Sequence, residues 1–270
     1  KCFIKGMTMS YKTLLVEKNK SIATISFNRP EKLNAFDREM VLETQDIIES
    51  VTHDDVIKVV IITGIGKGFS AGADLGDPSG MDDHSNDRLV YEGLVNGYMP
   101  SLVNIMNMPK PVIAAVNGPA AGIGSAFALA CDLMVMSDNA YLKQAFVNIA
   151  LIPDGGLNWL LTRSIGYKLA YEMAIEGENI PASKCLDLGL TNKVVPSEEL
   201  MAVTVKWAES LSRKSPQSLR ETKRIMRAAM TSTYEEVFKL EAEANNSLHS
   251  SEDSLEAVQA FFEKREPNFK

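Results

Sequence analysis

The chain has 270 residues and a mass of 29.6 kDa, a size that suits one main domain with a smaller appendage. Its 28 basic and 35 acidic residues give a formal net charge of −7, which argues against a broad nucleic-acid-binding surface. No segment approaches the ~20 apolar residues of a membrane span, so we expect no membrane partner. The three cysteines and three histidines lack metal-ligand spacing, which predicts a reducing compartment and no metal site.

The first part of the chain predicts a hairpin and a helix. The polar start, residues 1–10, is expected to be disordered or added during cloning, because it is too short and polar for a signal peptide. Apolar runs at 13–16 and 22–27 flank a polar turn and predict a β-hairpin. Asp37 is a suitable N-cap for a helix that ends near Ser50. The residues available for its buried side are Met40, Leu42, Ile47 and Ile48.

The middle of the chain alternates strands with helices. Apolar runs at 58–63, 111–116 and 133–136 predict strands, whereas 87–106 and the small-residue run 122–130 predict helices. The glycine-rich segment 64–80 predicts a loop with a short helix, where functional residues are often found. This order predicts an α/β fold, but periodicity alone does not separate a doubly wound sheet from a spiral of repeated ββα turns.

The composition changes near residue 197. Four segments after this point are helical in pattern, at 198–212, 217–230, 234–248 and 252–264. We therefore expect a core at 11–196 that is followed by a helical C-terminal region at 197–270. Apolar residues in this region, such as Phe261 and Phe262, suit either the core or a partner subunit.

Three short motifs suggest other chemistries. Gly68-Phe69-Ser70-Ala71-Gly72 fits the G-x-S-x-G pattern, and Ser70, Asp132 or Asp154, and His249 follow in the chain order of an α/β-hydrolase triad. However, His249 lies in a polar helical stretch rather than on a loop after a strand. The glycines at 122–124 lack the third glycine of a dinucleotide fold, and those at 64–68 lack the spacing of a phosphate loop.

The most informative residue is Asp154, in the segment Ile152-Pro153-Asp154-Gly155-Gly156. It follows two glycine-bearing loops that could each direct a backbone N–H at a substrate oxygen. One carboxylate with two such donors suits proton transfer beside a thioester carbonyl. Its apolar surroundings predict a raised pKa. The alternative is that Asp154 only caps the helix that begins near Gly155.

Several segments together resemble the enoyl-CoA hydratase/isomerase (crotonase) superfamily. They are residues 27–35 (FNRPEKLNA), 69–75 (FSAGADL), 110–118 (KPVIAAVNG) and 122–132, and the likeness extends in order over about 11–270. The resemblance implies a crotonase-like spiral of ββα repeats and a helical trimerisation region, in a homotrimer or a dimer of trimers. It also implies a bent acyl-CoA substrate without a separate cofactor, and oxyanion donors at the N–H groups of Ala73 and Ile123.

Two departures from the family affect the expected reaction. The positions at which family hydratases carry glutamates hold Ala126 and Phe146, whereas Asp154 matches the acid of the family's isomerases. The resemblance therefore favours a Δ3,Δ2-enoyl-CoA isomerase with Asp154 as its single acid. The alternatives are a ring-epoxide phenylacetyl-CoA isomerase, an enoyl-CoA hydratase, or a non-catalytic acyl-CoA-binding or scaffold protein.

The resemblance also implies a set of ligand-binding residues. Those expected to bind the substrate and its CoA are Lys32, Leu33, Ala71, Gly72, Ala73, Asp74, Leu75, Gly122, Ile123 and Phe146. Phe69 and Phe127 are expected to line the acyl pocket with Phe146, and Lys264 and Phe269 to reach the nucleotide end of the ligand. The C-terminal tripeptide is not a peroxisomal signal, so a cytoplasmic location is expected.

Overall fold

The computed structural model describes residues 11–77 and 88–269, so the expected leader at 1–10 lies outside the described residues. The strands are β1 Leu14–Asn19, β2 Ile22–Phe27, β3 Val59–Gly64, β4 Val112–Val116, β5 Pro119–Ala121, β6 Leu133–Ser137, β7 Tyr141–Lys143, β8 Asn179–Pro181 and β9 Lys193–Val195. The α-helices are α1 Arg38–His53, α2 Leu89–Glu92, α3 Met99–Asn107, α4 Ile123–Ala130, α5 Leu157–Ile165, α6 Tyr167–Glu176, α7 Ala182–Asp187, α8 Leu200–Ser212, α9 Pro216–Ala229, α10 Tyr234–Leu248 and α11 Glu252–Glu263.

The strands form two sheets, and the middle of the chain passes from one sheet to the other and back. The larger sheet has the order β1-β2-β3-β4-β6-β9, in which only the β1–β2 hairpin is antiparallel. The smaller sheet has the order β5-β7-β8. In one repeat β4 lies in the larger sheet and β5 in the smaller sheet, and α4 follows β5. In the next repeat β6 lies in the larger sheet and β7 in the smaller sheet. The fold is therefore the α/β spiral of ββα repeats, and the doubly wound sheet is excluded.

The larger sheet is covered on both faces. Every residue of β3 and of β4 is buried, as expected for parallel strands between two layers. One face, with Val60 and Ile62, belongs to the main hydrophobic core together with α1. The other face, with Val59 and Ile61, packs against α8. The helical C-terminal region thus contributes directly to the packing of the sheet.

Helix α1 begins as the sequence predicts. The Asp37 carboxylate accepts a hydrogen bond from the Met40 backbone N–H at 2.8 Å, which satisfies one of the free donors of the first turn. Met40, Ile47 and Ile48 are buried as expected. The assignment of Leu42 to the buried side is wrong, because 54% of this residue is exposed.

A π-helical turn, Gly93–Tyr98, joins α2 to α3. The sequence predicts an unbroken helix here. The Gln45 side chain of α1 donates a hydrogen bond to the Asn96 carbonyl at 2.6 Å and ties the turn to the core. Such turns widen the helix by one residue and often occur at functional sites. In the described part of the chain, no helix is both long and apolar enough to cross a membrane.

Candidate active site

Two glycine loops meet beyond the ends of β3 and β5. Gly72 lies in loop 68–75 after β3, and Gly122 lies between β5 and α4; their φ angles are 101° and 52°. A Cβ atom on Gly72 would lie 2.9 Å from the Ala121 carbonyl oxygen, and one on Gly122 would lie 3.9 Å from the Gly72 Cα. Glycine permits both the positive φ angles and this close approach of two backbones.

Each loop presents a backbone N–H that donates no hydrogen bond to another described residue. Phe36 pairs with the residues on either side of Ala73, donating to the Gly72 carbonyl at 2.7 Å and accepting from the Asp74 N–H at 2.9 Å. Ile123 is the first residue of α4, and no side chain caps this helix. Within residues 11–77 and 88–269, neither the Ala73 N–H nor the Ile123 N–H donates a hydrogen bond.

These two donors can stabilise a negative oxygen. A helix start carries partial positive charge, which strengthens the attraction of the Ile123 N–H for an anion. The loops that hold the donors are joined by the Ala121 N–H, which donates to the Ser70 carbonyl at 2.9 Å. The site therefore has the components of an oxyanion hole, which accelerates reactions that develop charge on a carbonyl oxygen.

Asp154 lies in loop 150–156, which precedes α5. The adjacent Gly155 packs this loop against α4: a Cβ atom on Gly155 would lie 2.5 Å from the Ile123 Cδ1 and 2.8 Å from the Ala126 Cβ. The only carboxylate in this loop is thus next to the residue that supplies one of the two donors. The structure brings together Asp154 and the two glycine loops that the sequence singles out.

The Asp154 carboxylate is partly buried without a compensating partner. Its Oδ1 atom is inaccessible and accepts no hydrogen bond from the residues that the structure describes. Burial raises the pKa of Asp154 to about 6. A group with this pKa is mostly ionised at neutral pH and is a stronger base than an ordinary aspartate.

The alternative in which Asp154 serves as a helix cap is wrong. The N-cap of α5 is Gly156, with a φ angle of 79°, and no side chain accepts a hydrogen bond from the first turn. Only the backbone carbonyl of Asp154 contributes, accepting from the Leu157 N–H at 3.0 Å. Its carboxylate therefore remains available for chemistry.

The positions of the two missing glutamates both lie at this site. Ala126 is fully buried on α4 and faces Gly155. Phe146 is also buried, and its ring atom Cζ would lie 3.7 Å from a Cβ atom on Gly122. Apolar groups thus occupy the two positions at which the resemblance implies the glutamates of a hydratase. Neither alanine nor phenylalanine can accept or deliver a proton.

Some predicted binding residues surround loop 68–75. The Ala71 N–H donates to the Leu33 carbonyl at 2.8 Å, which places Leu33 and the exposed Lys32 beside this loop. Leu75 is exposed at its far end. The Asp74 carboxylate is already paired with Arg29 at 2.9 Å, and the hydrogen bond from Arg29 lowers the pKa of Asp74. Asp74 therefore supports the loop through its side chain.

Two aromatic residues expected in the acyl pocket lie in the core instead. Phe69 and Phe127 are buried, and the ring of Phe27 packs edge-on against them at centroid distances of 5.4 and 5.8 Å. Phe36 stacks on Phe127 at 4.8 Å. Phe146, by contrast, borders the second glycine loop at Gly122. Apolar composition alone could not distinguish a pocket wall from the core behind it.

The C-terminal tail lies away from the site within its own chain. The Lys58 ammonium donates to the Phe269 carbonyl at 3.3 Å, at the amino end of β3. Loop 68–75 follows the carboxyl end of the same strand. The expected role of Phe269 at the nucleotide end of the ligand stays a prediction. Lys264 ends α11 in a left-handed conformation, and its binding role stays a prediction.

Sequence reasoning missed Tyr98, the last residue of the π-helical turn. Its ring packs edge-on against Phe36 at a centroid distance of 5.8 Å. Four residues later, Leu102 would lie 3.6 Å from a Cβ atom on Gly155. Burial raises the pKa of Tyr98 to about 12, and the negative charge of Asp154 is the second cause. No pattern in the sequence indicates the π turn that places this residue.

The hydrolase alternative fails on geometry. The buried Ser70 hydroxyl donates to the Asn34 carbonyl at 2.8 Å and accepts from the Gly72 N–H at 3.2 Å. Asp132 accepts from a backbone N–H and pairs with Lys223. Among the described residues, neither Ser70 nor Asp132 bonds to His249, which follows α10. Ser70 instead supports the first glycine loop.

A cavity of about 460 Å³ lies between the core and α9, but its charged groups are already paired. Lys223 is 2.7 Å from the Asp132 carboxylate, and Arg227 is 3.2 Å from it. This arrangement is typical of a structural ion pair rather than of a catalytic group. No group of three or more His, Cys, Asp or Glu residues is arranged to hold a metal ion in the part of the chain that the structure describes.

The chain is similar to known proteins over most of its length. The family model described as enoyl-CoA hydratase/isomerase matches residues 17–270. The chain is 34% identical to a 1,2-epoxyphenylacetyl-CoA isomerase of Escherichia coli (strain K12), over 95% of this chain and 97% of the relative. It is also 34% identical to a trans-2-decenoyl-[acyl-carrier-protein] isomerase of Streptococcus mutans, over 97% and 99%.

The solved structures include hydratases of the same fold. An enoyl-CoA hydratase from Bacillus anthracis superposes with a TM-score of 0.91 at 31% identity, covering 96% of this chain and 99% of that chain. The match extends over both the spiral and the C-terminal helices, so it concerns the whole fold. Together with the family model, these similarities show that the chain is an enzyme of the enoyl-CoA hydratase/isomerase (crotonase) family.

Proposed function

We propose that the protein is a Δ3,Δ2-enoyl-CoA isomerase with Asp154 as its only proton-transferring side chain. The observation that carries this proposal is the lone Asp154 carboxylate, with its buried Oδ1 and raised pKa, beside apolar Ala126 and Phe146. The similarity to two relatives that are named as isomerases supports it. As further proposals, the enzyme works as a homotrimer or dimer of trimers in the cytoplasm, without a separate cofactor.

The reaction needs one base and an oxyanion site. Asp154 removes a proton from C2 of a 3-enoyl thioester; the electrons of that C–H bond form a double bond between C1 and C2, and the carbonyl π electrons move onto oxygen to give a dienolate. The N–H groups of Ala73 and Ile123 stabilise this oxygen. Asp154 then returns the proton to C4 as the carbonyl re-forms, which leaves the conjugated 2-enoyl thioester. No atom is gained or lost, so one carboxylate is sufficient.

The apolar groups at the two former glutamate positions favour isomerisation over hydration. Hydration requires one group to orient and deprotonate water and a group to protonate the α-carbon. The buried Ala126 and Phe146 provide neither. Their exclusion of water also protects the conjugated product from addition of water. Asp154 as the single base is thus sufficient for isomerisation, which moves one proton from C2 to C4.

The test compares 3-hexenoyl-CoA with 2-hexenoyl-CoA as substrates. We expect the wild-type enzyme to convert the 3-enoyl thioester into the conjugated isomer, observed by ultraviolet absorbance and product analysis, and to leave the 2-enoyl thioester unhydrated. Asp154→Asn should lower kcat by at least about 10³-fold, because the amide has a similar size but accepts no proton. Its affinity for CoA thioesters should be retained.

Asp187→Asn is the matched control. Asp187 is an exposed residue at the end of α7, so the same chemical change there should leave turnover unchanged. Hydration of 2-hexenoyl-CoA by the wild-type enzyme would show that water is activated despite the missing glutamates and would overturn the proposal. Full isomerase activity in Asp154→Asn would remove Asp154 from the mechanism.

A further inference from the structure

The buried Oδ1 atom of Asp154 has no hydrogen-bond donor among the described residues. Buried carboxylate oxygens nearly always accept a hydrogen bond, and each exception in a folded protein requires an explanation. The Oδ1 atom of Asp154 is such an exception among the described residues. A base in this state is strong, but its orientation is not fixed by any polar contact.

The elements packed around Asp154 offer few titratable groups, and several of their other donors are already used: Asn104 donates to Glu49, Ser125 to the Gly122 carbonyl and Asn158 to the Pro153 carbonyl. Helices α3 and α4 and the 3₁₀ turn Ala145–Ile149 contain no titratable side chain. In α5 the one such residue is Arg163, whose guanidinium lies over the Trp159 ring at 4.8 Å. A candidate donor from outside these elements is Tyr98, on the π-helical turn that leads into α3, whose pKa is affected by the charge of Asp154.

One contact of Tyr98 and one contact of Leu102, on the same helical segment, place Tyr98 near both halves of the site. Its ring packs on Phe36, and Phe36 is hydrogen-bonded to the residues on either side of Ala73. Leu102, four residues after Tyr98, packs towards Gly155, next to Asp154. Residues four apart share one face of a helix, so this face covers the oxyanion loop and the base loop together.

The Tyr98 hydroxyl is protonated and can therefore act as a hydrogen-bond donor. With a pKa raised to about 12 by burial and then by the charge of Asp154, Tyr98 keeps its proton at every pH at which the enzyme would work. The other charged groups that contribute to this shift, Asp77 and Asp37, are acidic as well. A neutral phenol among carboxylates can lower their electrostatic energy only by donating its proton in a hydrogen bond.

We propose that Tyr98 is a positioning residue for the base: when an acyl thioester is bound, its hydroxyl donates a hydrogen bond to Oδ1 of Asp154. The inference rests on the proposed role of Asp154 as the base. In the structure the two groups are not hydrogen-bonded to each other. Tyr98 lies on a π turn and Asp154 on a loop. Catalytic hydrogen bonds are often long in the free enzyme and shorten to normal distances only in the substrate complex.

The test uses Tyr98→Phe, which keeps the ring that packs on Phe36 and removes only the hydroxyl. With saturating butanoyl-CoA, a non-reacting saturated thioester, the pKa of Asp154 is read by ¹³C NMR of carboxyl-labelled aspartate and assigned with Asp154→Asn. Loss of a donor to the charged form should raise the pKa of Asp154 by about one. The acid limb of kcat for 3-hexenoyl-CoA, which reports the substrate complex, should move up equally, with kcat about tenfold lower and KM unchanged.

Tyr91→Phe is the control, since Tyr91 lies nearby on α2 but is 54% exposed. It should change neither the pKa of Asp154 nor the rate. An unchanged or lower pKa of Asp154 in Tyr98→Phe would overturn the inference, whatever the rate does. If wild-type enzyme fails to isomerise 3-hexenoyl-CoA but the NMR shift occurs, the proposed function falls and the Tyr98–Asp154 contact stands.

Discussion

At the scale of single residues, the site is built from groups that are unfavourable for folding. Gly72 and Gly122 hold positive φ angles against each other, and the N–H groups of Ala73 and Ile123 lack protein partners among the described residues. The partly buried Asp154 adds a charge without a donor to Oδ1. Such features are common where stability is lost in favour of function.

The raised pKa of Asp154 makes folding stability depend on pH. The folded state, with a pKa of about 6, holds the proton more tightly than the unfolded chain, where an aspartate has a pKa near ~3.9. The unfolding free energy therefore falls as pH rises between these two values. Above pH ~7, Asp154 is ionised in both states, and the decrease in the unfolding free energy is complete.

We therefore expect Asp154→Asn to be more stable than the wild-type protein at pH 8 and equal to it near pH 4. Urea unfolding at both pH values measures this difference. The exposed-site variant Asp187→Asn should show no such pH-dependent gain. An equal gain at both pH values would mean that the raised pKa is not its cause.

At the scale of elements, loop 150–156 depends on its contact with α4. Gly155 and Gly156 both have positive φ angles, 60° and 79°, so alanine is strained at either position. They differ in their surroundings: a Cβ atom on Gly155 would meet Ile123 and Ala126 within 3 Å, whereas one on Gly156 would meet nothing within 4 Å. Alanine variants at these two glycines therefore distinguish the effect of backbone strain from the effect of displacing Asp154.

Gly155→Ala should push Asp154 away from the Ile123 N–H and lower kcat by about 10²-fold, since small misplacements of catalytic groups are costly. Gly156→Ala should lose about 1 kcal/mol of stability through its φ angle yet keep most of its activity. Steady-state kinetics and thermal unfolding of both variants provide the comparison. Equal activity in the two variants would show that the contact with α4 does not position the base.

The regular elements were predictable where a local signal existed. The Asp37 cap, the apolar strands β3 and β4 and the last four helices follow from residue patterns. The three-residue strands β5, β7, β8 and β9 were not predicted, because so short a run has no periodicity. The π turn before α3 was also missed, since a one-residue widening leaves the helical pattern almost unchanged.

The candidate site was predictable in part. Glycine spacing and the segment around Asp154 gave the two loops and the acid, whereas Tyr98 depends on a turn without a sequence signature. Phe69 and Phe127 show the reverse case, since an apolar residue beside a motif need not face its pocket. Long-range packing decided both outcomes, and local sequence does not encode it.

At the scale of the whole molecule, a buried ion pair joins the C-terminal helices to the core. Lys223 of α9 is 9% exposed in its side chain, and its ammonium also donates to the Ile105 and Lys110 carbonyls. Burial lowers the pKa of Lys223, and the charge of Asp132 opposes this effect. Removal of one partner from such a pair leaves the other charge buried and uncompensated.

Asp132→Asn should therefore destabilise the protein by about 3 kcal/mol, measured by urea unfolding at pH 7. The control is Glu235→Gln in the exposed pair with Lys239, where the unfolding midpoint should not change. A midpoint for Asp132→Asn that matches the wild type would show that Arg227 or solvent compensates Lys223 fully.

Helices α10 and α11, which follow the ion pair of α9 in the chain, carry a large apolar surface. Tyr234 and Phe238 on α10, and Phe261 and Phe262 on α11, are each more than half exposed. These rings are suitable for an interface between subunits. The homotrimer or dimer of trimers stays a prediction, and these residues are its natural contact points.

The presence of one carboxylate in loop 150–156 has a stereochemical consequence for the proposed isomerisation. A dienolate is flat, and a single side chain fixed beside it can approach only one of its two faces. Asp154 would therefore take the proton from C2 and deliver it to C4 on the same face. A substrate labelled stereospecifically with deuterium at C2 would carry some of that label to C4, in an amount limited by exchange with water at the carboxylate.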